Sequence, residues 1–98
     1  ASTRAWLGIS CVERDDAVMV LRVNDDSPAE VAGLSAGDRI TAIDGQPVSS
    51  LAMLWKTLWA GGAAERDVTL DIQRKGQPQR LVVHAVDRAK TLRRPEGI

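Results

Sequence analysis

His84, the one histidine of the chain, lies between Val82 and Val86 on a two-residue alternation, and no serine, cysteine or carboxylate stands around it at the spacing of a triad or a metal set. It reads as an exposed or hydrogen-bonded structural residue. Cys11 falls in mid-strand without a basic neighbour, which favours a small inert hydrophobe over a nucleophile. Asp15-Asp16 and Asp25-Asp26 are carboxylate pairs in polar turns and lack the spaced ligands of a calcium loop. No G-x-G-x-x-G run joins a strand to a helix, so a dinucleotide fingerprint is also missing. The side chains therefore provide no catalytic set and call for no cofactor and no metal.

Two other features invite a binding reading. Gly8 interrupts RAWLGISC, a stretch otherwise suited to a strand, and glycine inside a strand costs stability unless the backbone needs it. A β-bulge would account for it, as would the close approach of another backbone or of a ligand. Trp55 and Trp59 lie four residues apart on an apolar stripe, Leu51, Leu54, Trp55, Leu58 and Trp59, in a chain with three Trp and no Phe or Tyr. Such a stripe ordinarily serves as core. A strand edge beside an amphipathic helix also forms a groove to which an extended peptide can add as a further strand, and amides turned outward around a glycine form a small anion nest at its end.

The elements that must position these residues follow from pattern and punctuation. Trp6 to Glu13 reads as a strand with Leu7, Ile9 and Cys11 on one face, and AVMVLRV (17–23) as a second with Met19, Leu21 and Val23 inward. SPAEVAG fits a very short helix: Ser27 caps it, Pro28 opens it, Glu30 completes a capping box and Gly33 ends it. RITAID is a strand anchored by Ile40 and Ile43, closed by an Asp44-Gly45 turn. Ser49 or Ser50 caps a helix of about three turns that stops at Gly61-Gly62. Residues 67–86 read as a hairpin turning at Lys75-Gly76-Gln77-Pro78, and 87–98 as a polar tail of little fixed structure.

The order predicts a mostly β fold with two helices (α+β), a small partly open β-barrel or sandwich of about five strands capped by one short and one longer helix. With 98 residues and 44% hydrophobic content there is room for one core, spanning 1–86. Thirteen Lys and Arg balance thirteen Asp and Glu, which argues against a nucleic-acid partner. No apolar run has the length of a membrane span and the first residues lack a signal-peptide pattern, so no direct membrane insertion is expected.

WLGI together with SPAEVAGLSAGDRITAIDGQPV resembles the PDZ domains, in which S-P-A, A-G-L, G-D-x-I and a D-G turn follow in this order and spacing. The resemblance extends over residues 4 to 86 and is nearest to the circularly permuted bacterial kind found behind the protease domain of HtrA-like, trypsin-type serine proteases. It implies a non-catalytic module that binds carboxy-terminal or extended hydrophobic segments by strand addition, in the periplasm or cell envelope, with an upstream protease domain as its covalent partner. Trp6, Leu7, Gly8 and Ile9 are then the loop whose amides hold the peptide's carboxylate, with Leu7 and Ile9 lining the pocket for its last side chain. Leu51, Trp55 and Leu58 face the groove, Leu54 the core, Trp59 forms an outer wall, and Arg4 adds electrostatic attraction. The short ERDD between the first two strands departs from many HtrA relatives, which carry a longer segment there. A scaffold or secretion-apparatus module, and the PDZ domain of an intramembrane metalloprotease, are the alternatives.

Overall fold

Residues 6–13, expected to be one strand, are divided at Gly8. The computed structural model describes residues 5–60 and 63–87. In it, β1 (Ala5–Trp6) pairs with β7 (Gln77–Asp87), whereas β2 (Ile9–Arg14) pairs with β3 (Ala17–Val23). Between them come α1 (Pro28–Ala32), β4 (Arg39–Ile43), β5 (Gln46–Pro47), α2 (Leu51–Ala60) and β6 (Arg66–Arg74). The strands form one sheet in the order β1-β7-β6-β4-β3-β2, with β5 paired to β4. The fold is the expected one, and the two strands beyond the five expected are two-residue pieces, β1 split off at Gly8 and β5 after the Asp44-Gly45 turn.

Gly8 sits at φ +85°, and a Cβ added there would lie 2.2 Å from the Ser27 Cβ and 2.8 Å from its Oγ. The close approach is therefore real, and its partner is the cap of α1. Ser27 Oγ accepts from the Glu30 amide at 3.2 Å, Pro28 has no amide to satisfy, and the Ala29 amide donates to the Leu7 carbonyl at 2.9 Å. The first-turn donors of α1 are thus consumed by its own cap and by the corner of the chain at residues 7 and 8. The capping box closes one residue early, the Glu30 carboxylate accepting from the Asp26 amide, and Gly33 ends the helix at φ +94°.

Up to Val20, β3 buries the other face from the one expected, whereas Val23, expected inward, does pack against the core. Ala17, Val18 and Val20 are buried, while Met19 and Val23 are half-buried and Leu21 is 62% exposed. By strict alternation Arg22 marks the face of Val18 and Val20 as the solvent side, and an irregularity between Val20 and Arg22 reverses that phase. The register shifts between Ser10–Arg22 and Cys11–Val20, which leaves Leu21 as the extra residue of a bulge. A second shift, between Ile40 and Ala42, explains how Ile40 and Ile43, three apart on β4, are both buried. The last hairpin turns on Lys75-Gly76 alone, both at positive φ, and Pro78 lies within β7 opposite Gln73. β7 continues through Asp87; the polar tail beyond it, Arg4 and the Gly61-Gly62 stop lie outside the described residues.

Among the described residues Asp38, 2% exposed, is the charged residue of the interior. Its carboxylate receives Arg74 Nε at 2.9 Å and Arg74 NH2 at 2.7 Å, and the Ser35 amide at 2.8 Å. This fork ties the turn before β4 to the end of β6. Burial alone would push the Asp38 carboxyl upward, but the Arg74 hydrogen bonds, the Ser35 amide and the Arg74 charge together hold it below its ordinary 3.8. A group depressed in the folded state stabilises fully above its unfolded pKa and loses that contribution as pH falls through the folded value.

Asp38→Asn should cost about 2 kcal/mol at neutral pH, the scale of hydrogen bonds to a charged group, and in urea melts the gap from the parent should narrow below pH 3.8. Gly8→Ala should cost about 2 to 4 kcal/mol from backbone strain and overpacking. Ser27→Gly removes the opposing Cβ while costing a few tenths as a cap, so Gly8→Ala with Ser27→Gly should be more stable than the two single losses sum to. Strict additivity in that double-mutant cycle would refute the packing account of Gly8.

Candidate functional site

β2 ends the strand order, so among the described residues one of its edges is unpaired. Which groups face that edge follows from the bonds on its other side. The Asn24 amide donates to the Gly8 carbonyl at 2.8 Å, one position outside the Ile9–Val23 pair. Ile9 and Val23 are therefore a non-hydrogen-bonded pair, and the N–H and C=O of Ile9 point to the open side. Both main-chain groups of Val20 are used toward the turn before β4, by the Asp38 carbonyl and the Gly37 amide, so Cys11, opposite Val20, also turns its own outward. The Asp15-Asp16 turn has both residues at positive φ, the two-residue hairpin type that Arg14 and Ala17 close as a bonded pair. Glu13, one step back, is then the third outward residue. The open edge presents Ile9, Cys11 and Glu13.

At the start of this edge two carbonyls turn the same way. Leu7 C=O accepts from Ala29 and Gly8 C=O from Asn24, both in the segment leading into and opening α1. Among the described residues no peptide bond is cis, and a trans peptide aims its N–H opposite to its C=O. The Gly8 and Ile9 amides are thus directed away from α1, side by side, with Gly8 close to the edge of the Trp6 indole. Leu7 and Ile9 themselves are fully buried and belong to the core cluster.

α2 is held at both ends. Ser50 is its cap, with Oγ accepting from the Met53 amide at 3.1 Å and its carbonyl from Leu54. The Leu51 amide, left over by that cap, donates to Glu13 Oε1 at 2.9 Å, so β2 and the start of α2 are bridged by a side chain. At the other end Arg66 donates to the Leu58 carbonyl at 2.7 Å and to Ala63 at 3.0 Å, neutralising the last turn where helix carbonyls are unsatisfied. Trp59 Nε1 donates to the Ala5 carbonyl at 3.2 Å.

Of the expected groove residues, the helix brings Leu51, Trp55 and Trp59 to accessible or half-buried positions. The two indoles stack at a centroid distance of 6.1 Å and an angle of 15°, and Trp55 is 39% exposed. Leu58 is 0% exposed, buried in the core cluster together with Leu54. It is at most the floor of a groove. Glu13 and Arg66 have structural parts that the sequence does not announce, as does Ser27 in its packing against Gly8 beyond its expected role as cap. The capping signal pointed to Ser27, while Glu13 and Arg66 act on partners that sequence spacing does not reveal.

Of the catalytic candidates, His84 lies away from this edge and Cys11 lies on it. His84 pairs with Asp67 across the β6–β7 hairpin, both exposed. Burial pushes the Cys11 thiol up to about 12, so at neutral pH it is not a thiolate. Among the described residues no group of three or more His, Cys, Asp or Glu could hold a metal ion, and no helix is long and apolar enough to cross a membrane.

Comparison with known proteins agrees with this architecture. A zinc metalloprotease of Neisseria meningitidis is 38% identical over 78 residues, 76% of this chain and 15% of the relative. A DegP-like periplasmic serine endoprotease of Pseudomonas fluorescens is 32% identical over 88 residues, 74% of this chain and 18% of the relative. The chain thus spans less than a fifth of these proteins. Among solved structures, the HtrA-type protease AlgW with decapeptide superposes with TM-score 0.79 at 23% identity, over 88% of this chain and 30% of that one. The HtrA3 PDZ domain bound to a phage-derived ligand gives TM-score 0.72 at 17% identity, over 87% and 88%. The sequence model of the PDZ domain matches residues 5–84, every described element but the last three residues of β7, and the chain belongs to the PDZ domain family.

Proposed function

We propose that the chain binds peptide segments ending in a hydrophobic residue with a free carboxylate, by adding them as an antiparallel strand to the open edge of β2 alongside α2. The observation that carries this reading is the pair of outward amides at Gly8 and Ile9, placed where the open edge begins. A carboxylate there would receive two charge-assisted hydrogen bonds, and the residue bearing it would pair with Ile9 and turn its side chain to the same face, toward Leu7, Ile9 and Leu58. Trp55 and Leu51 flank the next inward position. In the parent protein the domain would report such ends to an attached HtrA-like serine protease in the periplasm or envelope, a role supported by the DegP-like relatives. The metalloprotease relative supports a second parent of similar module content. A trypsin-type His-Asp-Ser domain encoded upstream decides for the first, and an H-E-x-x-H segment for the second.

The carboxylate role is tested without touching the protein. A hydrophobic-ended peptide should bind roughly ten- to hundredfold more tightly as the free acid than as its amide, the range for hydrogen bonds to a charged group. Fluorescence of the accessible Trp55 reports the titration, and equal affinities would remove the role assigned to Gly8 and Ile9. Because Gly8 is also constrained by Ser27, its substitution is a poorer probe of binding than amidation. The isolated chain should hydrolyse no casein above background, and turnover that survives repurification would overturn its reading as a binding module alone.

A further inference from the structure

The Glu13 carboxylate, reaching from the last outward position of β2 to the Leu51 amide at 2.9 Å, spans the space an added strand would enter. We infer that Glu13 sets the upstream limit of the bound segment and selects a cationic side chain at its fifth residue from the carboxy terminus. This rests on the strand-addition reading above.

The register fixes the position. If the terminal residue pairs with Ile9, antiparallel pairing places the third residue from the end opposite Cys11 and the fifth opposite Glu13. Directly opposed residues share a face, so the fifth side chain lies beside the Glu13 carboxylate, on the side where α2 begins. A neutral segment continuing that far must displace the Glu13–Leu51 hydrogen bond with nothing to replace it, whereas Lys or Arg offers the carboxylate new donors. Glu13 is exposed, so its rearrangement exposes no core. Of the other charges at this end, Arg14 points to the opposite face by alternation, and the turn beyond contributes Asp15 and Asp16.

The experiment uses free-acid hexapeptides with a common hydrophobic end, carrying Lys, Ala or Glu at the fifth residue from the carboxy terminus. A fourth peptide has Ala at the fifth residue and Lys at the sixth, which faces away. On the parent chain the Lys peptide should bind about fivefold more tightly than the Glu peptide at low salt, with Ala between, the sum of one attractive and one repulsive cross-strand pair. The preference should fade in 1 M salt, and Lys at the sixth residue should confer none. Glu13→Gln keeps an oxygen for the Leu51 amide, so α2 stays capped, and should bring the Lys-to-Glu ratio within twofold. Equal binding of the Lys and Glu peptides to the parent, a ratio that persists in Glu13→Gln, or an equal gain from Lys at the sixth residue overturns the assignment. If no free-acid peptide binds at all, strand addition itself fails, and the Glu13 assignment falls with it.

Discussion

Where α1 meets the corner at Leu7 and Gly8, one contact sets both the topology and the edge. The Ala29 amide and the Asn24 amide take the two carbonyls, and Ser27 fills the space a Cβ at residue 8 would need. Held this way, the chain cannot run straight from β1 into β2. β1 joins β7 at one end of the strand order and β2 joins β3 at the other, so a single corner carries the chain between the sheet's two ends. The same two carbonyls, once turned toward α1, force the Gly8 and Ile9 amides the other way. Folding energy and the disposition of the edge are therefore drawn from the same interactions, which is why glycine is required at residue 8 even before a ligand is considered.

Much of this was legible because it is local. Ser27-Pro28 and Gly33 marked α1, the serines before Leu51 marked α2, and the turn residues divided the strands. What alternation could not give was phase. In β3 the polar residue, Arg22, lies beyond the bulge at Leu21, so alternation carried back from it assigns Val18 and Val20 to the wrong side. The outward set Ile9, Cys11 and Glu13 depends on bonds made by Val20 and Asn24 on the next strand, so the sequence of β2 alone could suggest an edge without saying which residues it offers. Long-range side-chain partners were equally hidden: Asp38 and Arg74 are 36 positions apart, Glu13 and Leu51 are 38, and a lone acidic or basic residue carries no signal of its mate. Gly8 was read toward a ligand or another backbone, and its packing partner is the Ser27 side chain.

α2 makes few main-chain ties to the sheet, and side chains at its ends hold it. Arg66 and Trp59 act at the carboxy end, Glu13 at the amino end, and between them Leu54 and Leu58 provide the apolar seat. Packing of Leu54 and Leu58 fixes the height of the helix above the sheet, since shifting either opens a void. The polar ties fix its slide along β2. A helix located by both kinds of contact is positioned before any segment binds beside it, the condition under which less ordering cost falls on binding.

An unpaired strand edge is ordinarily an invitation to association, and the same end contacts limit it here. The stretch of β2 left open runs only from Ile9 to the point where Glu13 crosses to Leu51. One end meets the Gly8 corner, where the chain turns off into β1 and leaves the edge; the other meets a charged side chain already hydrogen-bonded to the helix. Long strands with arbitrary register thus find no continuous edge, while a short segment that ends at the corner finds two amides without a further turn of chain in the way. A terminus is the one part of a polypeptide that can stop there, which is why the ligand we propose is a chain end and not an internal segment.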